Sequence, residues 1–274
     1  MEMDKARNIQ IMGIVNLTDD SYFAPSRCLG TDGMPDIGRT VGMVGKMLSE
    51  GADIIDIGAC STRPGSEPVG EEEEWRRLEP VLKAIKDSFP DAVISIDTWW
   101  ASVVEKAAGL IGPFIVNDIS AGEDDPGMLP AVGRLSLQYI AMHKRGTPST
   151  MQSLCNYGNV TSEVLQYFRK FAERAEKAGI KDWILDPGVG FAKDIGQNWQ
   201  LLRELEGLRT LGHRILVGVS RKSMIYRLFG ITPEESLAQT QVLHFAALER
   251  GADILRVHDV AEAARTIEAY RRLM

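Results

Sequence analysis

Asp97, Asn117, Asp186 and Lys222 each stand at or just past the end of a short apolar run, and Arg256 and His258 close another such run two residues apart. Carboxylates and an amide accept hydrogen bonds from ring N–H and amino groups. Asp97, Asn117 and Asp186 together therefore suit a heterocycle with an amino-oxo edge. Lys222 is suited to pair with one of these aspartates when the site is empty, or with a ring oxygen when it is filled. Residues two apart on a strand share a face, so Arg256 and His258 project together while Leu255 and Val257 take the other side. An arginine and a histidine on one buried face call for an anion. Arg63 lies in Ser61-Thr62-Arg63-Pro64-Gly65-Ser66, a loop stiffened by proline and loosened by glycine, where a guanidinium can reach a phosphate oxygen.

Plainer readings stand beside these. Asp186 begins the stretch Asp186-Pro187-Gly188-Val189-Gly190-Phe191, and an aspartate ahead of a helix often does no more than cap it. Thr98, Asp118 and Asp259 are read as capping or solvating groups. The competing account of Asp97, Asn117 and Asp186 is a structural hydrogen-bond set; it ranks lower because buried carboxylates without partners are costly. Ser220, in Gly218-Val219-Ser220-Arg221-Lys222, lacks the G-x-S-x-G elbow, and the sequence places no base beside it. The four histidines, His143, His213, His244 and His258, show no metal-ligand spacing, and His213 and His244 read as ordinary helix or loop residues. Gly188-Val189-Gly190 fails the dinucleotide fingerprint beyond its second glycine. The Glu71 to Glu74 run is read as acidic charge at a helix N-terminus.

The elements that must hold these groups are legible in the hydrophobic pattern. Eight near-continuous apolar runs recur: Ile9 to Val15, Ile54 to Ala59, Val93 to Thr98, Phe114 to Ser120, Leu137 to His143, Trp183 to Asp186, Ile215 to Ser220, and Ile254 to Asp259. Such runs are expected of parallel strands covered on both faces. Helical spacing lies between them. After Asn159, residues Val164, Leu165, Phe168, Phe171, Ala172 and Ala175 repeat at helical intervals until Gly179. The phrases Glu50-Gly51-Ala52-Asp53-Ile54 and Arg250-Gly251-Ala252-Asp253-Ile254 each close a helix and begin a strand at once. This βα rhythm suits an α/β fold of the TIM (β/α)8 barrel type, with residues 1–274 as a single domain, better than an open doubly wound sheet. In such a barrel, binding groups come from the C-terminal strand ends and the loops just after them, where Arg63, Asp97, Asn117, Asp186, Lys222, Arg256 and His258 stand. Pro80 predicts a kink or restart in the helix read over Glu71 to Lys86, and Lys222 to Phe229 reads as an extra short helix.

Composition narrows the partners. The net charge of -7 argues against nucleic-acid or membrane partners, and an anionic small molecule then needs locally concentrated positive charge. No apolar run approaches transmembrane length, and the N-terminal residues lack the apolar core of a signal peptide, so the expected location is cytoplasmic. Three cysteines, Cys28, Cys60 and Cys155, form no close pair and indicate neither a disulfide framework nor a cysteine zinc site.

Several strings, taken together, resemble the dihydropteroate synthase family of pterin-binding barrels. They are Met12-Gly13-Ile14-Val15-Asn16-Leu17-Thr18, Asp20-Ser21, Ser61-Thr62-Arg63-Pro64-Gly65, Ile96-Asp97-Thr98, Val116-Asn117-Asp118-Ile119-Ser120, His143, Gly146 to Gln152, Asp186 to Phe191, Ser220-Arg221-Lys222-Ser223 and Arg256-Val257-His258-Asp259-Val260. They occur in family order over nearly the whole chain. The resemblance implies condensation of 6-hydroxymethyl-7,8-dihydropterin diphosphate with p-aminobenzoate, giving dihydropteroate and pyrophosphate in folate synthesis. By position it implies that Asp97, Asn117, Asp186 and Lys222 hold the pterin, and that Asn16 helps bind Mg2+ with the diphosphate. Arg63, Arg256 and His258 would hold the leaving group, while Thr62, Phe191 and Ser220 shape the aminobenzoate site. It further implies a homodimer and a sulfonamide target. The chain departs from the family at Asp19, where proline is usual, at Tyr22-Phe23 in place of Phe-Ser, and at Ala59-Cys60 before Ser61. Two alternatives are weighed. A methyltetrahydrofolate:corrinoid methyltransferase has no use for a diphosphate site, and a catalytically silent pterin-binding homologue is disfavoured by the presence of Arg63, Lys222 and His258.

Overall fold

The strands form where the apolar runs predict them: β1 Gln10–Asn16, β2 Ile54–Gly58, β3 Ile94–Asp97, β4 Ile115–Asp118, β5 Gln138–Met142, β6 Trp183–Asp186, β7 Leu216–Val217 and β8 Ile254–Val257. Between and after them come α1 Ile37–Ser49, α2 Glu71–Ser88, α3 Ala101–Ile111, α4 Met128–Leu135, α5 Val160–Ala178, α6 Ile195–Arg203, α7 Ser223–Phe229, α8 Leu237–Glu249 and α9 Val260–Leu273. The computed structural model describes residues 7–18, 28–30, 33–61, 69–147 and 149–274. The strands are parallel and ordered β6-β5-β4-β3-β2-β1-β8-β7. A parallel bridge between Leu185 and Ile215 brings the two outer strands together and closes the barrel.

Strand alternation divides the core in two. Met12, Ile54, Ile115, Ile140, Ile184, Leu216 and Ile254 form an apolar plug inside the barrel, as inward residues of a small barrel must. Outward residues such as Ile11, Val15, Ile55, Ile57, Val116, Leu185, Val217 and Leu255 pack under the helices. Two residues further along the strands, the inward positions turn polar. Asp56 pairs in register with Ser95, Gly58 with Asp97, and Asp97 with Asn117. The plug thus seals one end and leaves the C-terminal end for chemistry.

Local signals set the helix ends. Asn159 caps α5 by accepting from Ser162 N at 2.8 Å, and Gly179 ends it in the left-handed region. Gly51 and Gly251 adopt the positive φ that the repeated phrases imply. Two expectations change. The helix α2 runs unbroken through Pro80, held against the core by buried Leu78, Val81, Leu82 and Ile85; side-chain packing outweighs the one backbone hydrogen bond that proline removes. The strand read over Ile215 to Ser220 shortens to two residues, because the chain turns at Val219 to Lys222 ahead of α7.

Candidate active site

Asp56 is the hub of the polar layer. It is fully buried in β2 and accepts from Ser95 Oγ at 2.7 Å, from Asn117 Nδ2 at 3.2 Å and from Arg256 Nε at 2.6 Å. Arg256 reaches on from β8 to Asp97 Oδ2 at 2.8 Å, so one guanidinium bridges two carboxylates. Burial pushes the Asp97 carboxyl up against the pull of Arg256, and the neighbouring Asp56 adds to the rise. Burial alone would lower Arg256, but Asp56 and Asp97 hold its guanidinium firmly charged. The anion-binding face expected of Arg256 is therefore occupied by the protein's own carboxylates in this structure.

Asp186 closes β6 and lies beside this network. Its Oδ1 accepts from Gly188 N at 2.8 Å, and burial raises its carboxyl while Lys222 pulls the other way. The helix-capping reading fails: α6 is capped by Asp194, which makes a reciprocal capping box with Gln197. Lys222 makes no ion pair with Asp97 or Asp186. Its Nζ donates to Val189 O and lies 4.9 Å from the Phe191 ring centre, and burial lowers it to about 8. Phe191 joins Trp99, Ile119, Met142 and Cys60 in a small apolar cluster at the barrel mouth, which gives a flat ring something to pack on.

Ser220 and His258 form a second pair, with Ser220 Oγ and His258 Nδ1 2.9 Å apart and His258 N donating to the same Oγ at 3.2 Å. The partner that the sequence around Ser220 does not supply thus arrives from the residue just past β8. Burial lowers His258 to about 3, with Arg256 contributing, so the ring is neutral at pH 7. Arg221 holds Asp259 through two bonds of 2.8 Å, and Asp118 accepts from Ser120 N, Gly122 N and Tyr139 Oη. Trp100 N bonds Thr98 Oγ1 at 3.2 Å. Thr98, Asp118 and Asp259, read from the sequence as capping or solvating groups, are neither solvated nor helix caps through their side chains. Thr98 and Asp118 are fully buried in local hydrogen bonds, and Asp259 is held by Arg221.

Asn16 ends β1 opposite Gly58, which stands between it and Asp97 in the register. The barrel therefore brings Asn16, Asp97, Asn117, Asp186, Phe191, Ser220, Lys222, Arg256 and His258 to one mouth. Thr62 and Arg63 lie outside the described residues, as do Asp19, Tyr22 and Phe23.

A family model described as "pterin binding enzyme" matches residues 12–258. Dihydropteroate synthase of Haemophilus influenzae is 38% identical over 264 residues, covering 96% of this chain and 93% of that one. The chain belongs to the dihydropteroate synthases of the pterin-binding enzyme family. These are transferases of folate biosynthesis. A Yersinia pestis dihydropteroate synthase in a sulfonamide drug complex superposes with a TM-score of 0.91 at 35% identity, over 98% of this chain and 95% of that one. The Thermus thermophilus dihydropteroate synthase in complex with 4-aminobenzoate gives a TM-score of 0.84 at 34% identity, over 98% and 96%. Family membership places the strand-end residues in a dihydropteroate synthase barrel.

Two residues of this mouth, Asp56 and Lys193, went unread in the sequence, and a third, Glu74, was read only as part of an acidic helix N-terminus. Asp56 had a signal, a charge inside the buried run Ile54-Ile55-Asp56-Ile57. Glu74 also had one. It shares a helical face with Leu78, Val81, Leu82 and Ile85 and is fully buried, with the Thr98 side chain easing its charge and Asp97 opposing it. Burial pushes it up to about 8, so the run Glu71 to Glu74 is not uniformly a solvated acidic cap. Lys193 had no signal, since nothing in its spacing distinguishes it from a surface lysine before a helix. It is 3% exposed and is lowered to about 7 by burial.

Proposed function

We propose that this barrel mouth joins 6-hydroxymethyl-7,8-dihydropterin diphosphate to p-aminobenzoate, giving 7,8-dihydropteroate and pyrophosphate. The observation that carries the reading is the convergence of Asp97, Asn117, Asp186 and Lys222 beside an apolar wall, with Arg256 and His258 at the same rim. Carboxylates and an amide match the amino-oxo edge of a pterin, and Trp99, Ile119, Met142 and Phe191 suit its flat face. Entry of the diphosphate would draw Arg256 and His258, with Arg63, onto the phosphate oxygens. The amine nitrogen then attacks the exocyclic methylene carbon while the bond from that carbon to oxygen breaks, and the electron pair leaves with pyrophosphate. An aromatic amine is neutral at pH 7 and ready to attack. The acidic anilinium nitrogen formed passes its proton to water or to the departing pyrophosphate, so no strong base is needed. Thr62, Phe191 and Ser220 are assigned to the aminobenzoate side.

Asn16 offers one hard amide oxygen, and among the described residues no group of three His, Cys, Asp or Glu side chains is placed to hold a metal. That donor set fits Mg2+ carried chiefly by diphosphate oxygens and water, with Asn16 as the protein's share. When bound, the ion supplies positive charge to the departing pyrophosphate. We further infer a cytoplasmic homodimer. Leu228 and Phe229 at the end of α7 and Val242 on α8 are each at least half exposed, apolar surface that a second copy would cover. No described helix is long and apolar enough to cross a membrane.

The deciding assay is pyrophosphate release from the pterin diphosphate by the purified protein. Release that requires both Mg2+ and p-aminobenzoate, with dihydropteroate as product, is expected. Absence of an amine-dependent product would overturn the reading. Sedimentation at micromolar concentration should show twice the chain mass of 30.3 kDa.

A further inference from the structure

We propose that Lys193 is a positioning residue for this reaction, its ammonium fixing segment 186–191 so that Asp186 and Phe191 stand in a set relation to each other. The inference rests on the assignment of those two residues to the pterin and the aminobenzoate. Lys193 Nζ donates to Gly188 O at 2.9 Å and to Phe191 O at 2.9 Å, and it lies 3.0 Å from His143 Nδ1. In its charged form Lys193 has three N–H donors, which Gly188 O, Phe191 O and His143 Nδ1 receive, with His143 O a longer fourth contact at 3.5 Å. Burial lowers His143 to about 2, with Lys193 adding to the effect, which leaves the ring neutral and its Nδ1 free to accept.

Gly188, through the two peptide groups that flank its Cα, is the link to chemistry. Its N–H holds Asp186 Oδ1 at 2.8 Å, while its carbonyl accepts from both Lys193 and Phe191 N, the latter at 3.0 Å. Displacing Gly188 therefore moves the carboxylate on one side and the aromatic ring on the other. Gly188 sits at φ +68°, and a Cβ there would stand 1.9 Å from His143 O. The segment is pressed against the end of β5, with Lys193 fastening both. From the other side Asn198 Oδ1 takes Gly190 N at 2.7 Å, and Lys222 takes Val189 O.

Stability alone is a poor account of this arrangement. A buried ammonium carries a desolvation penalty that an apolar side chain of equal length avoids. What the ammonium adds is direction: both carbonyls it grips belong to the segment between two residues that meet substrate.

Lys193→Met keeps length and burial but removes the donors, whereas Lys193→Gln keeps two N–H donors. Both are compared with Phe191→Ala, and with the double variant Lys193→Met/Phe191→Ala, in the full-length protein. We expect Lys193→Met to melt within a few degrees of wild type, yet to raise the KM for p-aminobenzoate tenfold or more and to weaken pterin binding in calorimetry. Lys193→Gln should recover part of both losses. The double variant should bind p-aminobenzoate no worse than Phe191→Ala alone, because the lysine acts through the ring. Wild-type KM and pterin affinity in Lys193→Met would overturn the proposal, as would losses that multiply in the double variant. If Phe191→Ala leaves the aminobenzoate KM unchanged, the Phe191 assignment fails instead. The lysine is then judged by pterin affinity alone, through Asp186. Should Lys193→Met not fold, Lys193→Gln decides: wild-type parameters in it count against the ammonium, and raised KM values with a retained melting temperature count for it.

Discussion

Asp56 touches three strands through three side chains, which makes it the residue on which the geometry of the pterin edge depends. Replacing it with asparagine keeps its size but removes the charge that holds Arg256 Nε and orients the Asn117 amide. Asp56→Asn is expected to weaken pterin binding by about tenfold, equivalent to roughly 1.4 kcal/mol, which is within the range for one lost charge-assisted hydrogen bond. Titration calorimetry with a pterin ligand checks this, and an unchanged Kd would show that Arg256 and Asn117 hold their places without it. Lys222 differs because its Nζ holds a single carbonyl and lies over Phe191. Lys222→Ala should abolish detectable pterin binding while leaving the far-UV circular dichroism and melting temperature near wild type. Normal affinity in that variant would show that the lysine faces something else.

At the scale of elements, helices must sit close enough to the barrel to fix the strand ends, and α4 shows how narrow the tolerance is. A Cβ on Gly133 would lie 1.8 Å from the carbonyl oxygen of Ala178, the last residue of α5. Alanine would ordinarily favour a helix over glycine by about 1 kcal/mol, but here the methyl has to push two helices apart. Gly133→Ala is therefore expected to destabilise the protein by about 1–3 kcal/mol, the usual cost of overpacking. Because α4 and α5 pack outside the barrel, KM values measured on folded protein should not move. Urea melts together with steady-state kinetics test both halves, and a stabilised variant would mean that α4 shifts without cost. Breaks in sequence logic are also settled between elements: Pro80 stays inside α2 because four buried apolar side chains anchor the helix on both sides of it.

For the whole molecule, the concentration of buried ionisable groups at one barrel end makes stability depend on pH. Glu74 is the sharpest case, with burial raising its carboxyl from 4.5 to about 8. A carboxyl raised in the folded state binds its proton more tightly there than in the unfolded chain. Its contribution is thus fully present below about 4.5 and is lost as pH rises toward 8. Glu74→Gln keeps the neutral shape and removes the titration. The variant should match wild type near pH 4.5 and become progressively more stable than wild type as pH rises to 8, by up to a few kcal/mol. Denaturant melts of both proteins across that interval give the difference directly, and parallel curves would show that Glu74 is solvated. Comparing the two proteins at each pH cancels the contributions of groups that do not act on Glu74, while Asp97 and Asp118, whose charges raise Glu74, contribute part of the difference.

The alternation of apolar runs with helical spacing determined eight parallel strands with helices between them, because each run is set by local burial on both faces and helix ends such as those of α5 by Asn159 and Gly179. Closure into a barrel rather than an open sheet was decided by the bridge between Leu185 and Ile215. The strand ends followed from the same pattern. Asp97, Asn117, Asp186, Lys222, Arg256 and His258 were legible as a set because a polar group at the end of a buried run has only the barrel mouth to point into. Partners across the barrel were decided only by tertiary structure. Asp56 and Arg256 are 200 positions apart, and Ser220 and His258 are 38 apart. No periodicity within one strand encodes which neighbour its inward side chain meets. Lys193 was invisible for the same reason: its Nζ is defined by the acceptors that close around it, Gly188 O and Phe191 O from segment 186–191 and His143 just past β5.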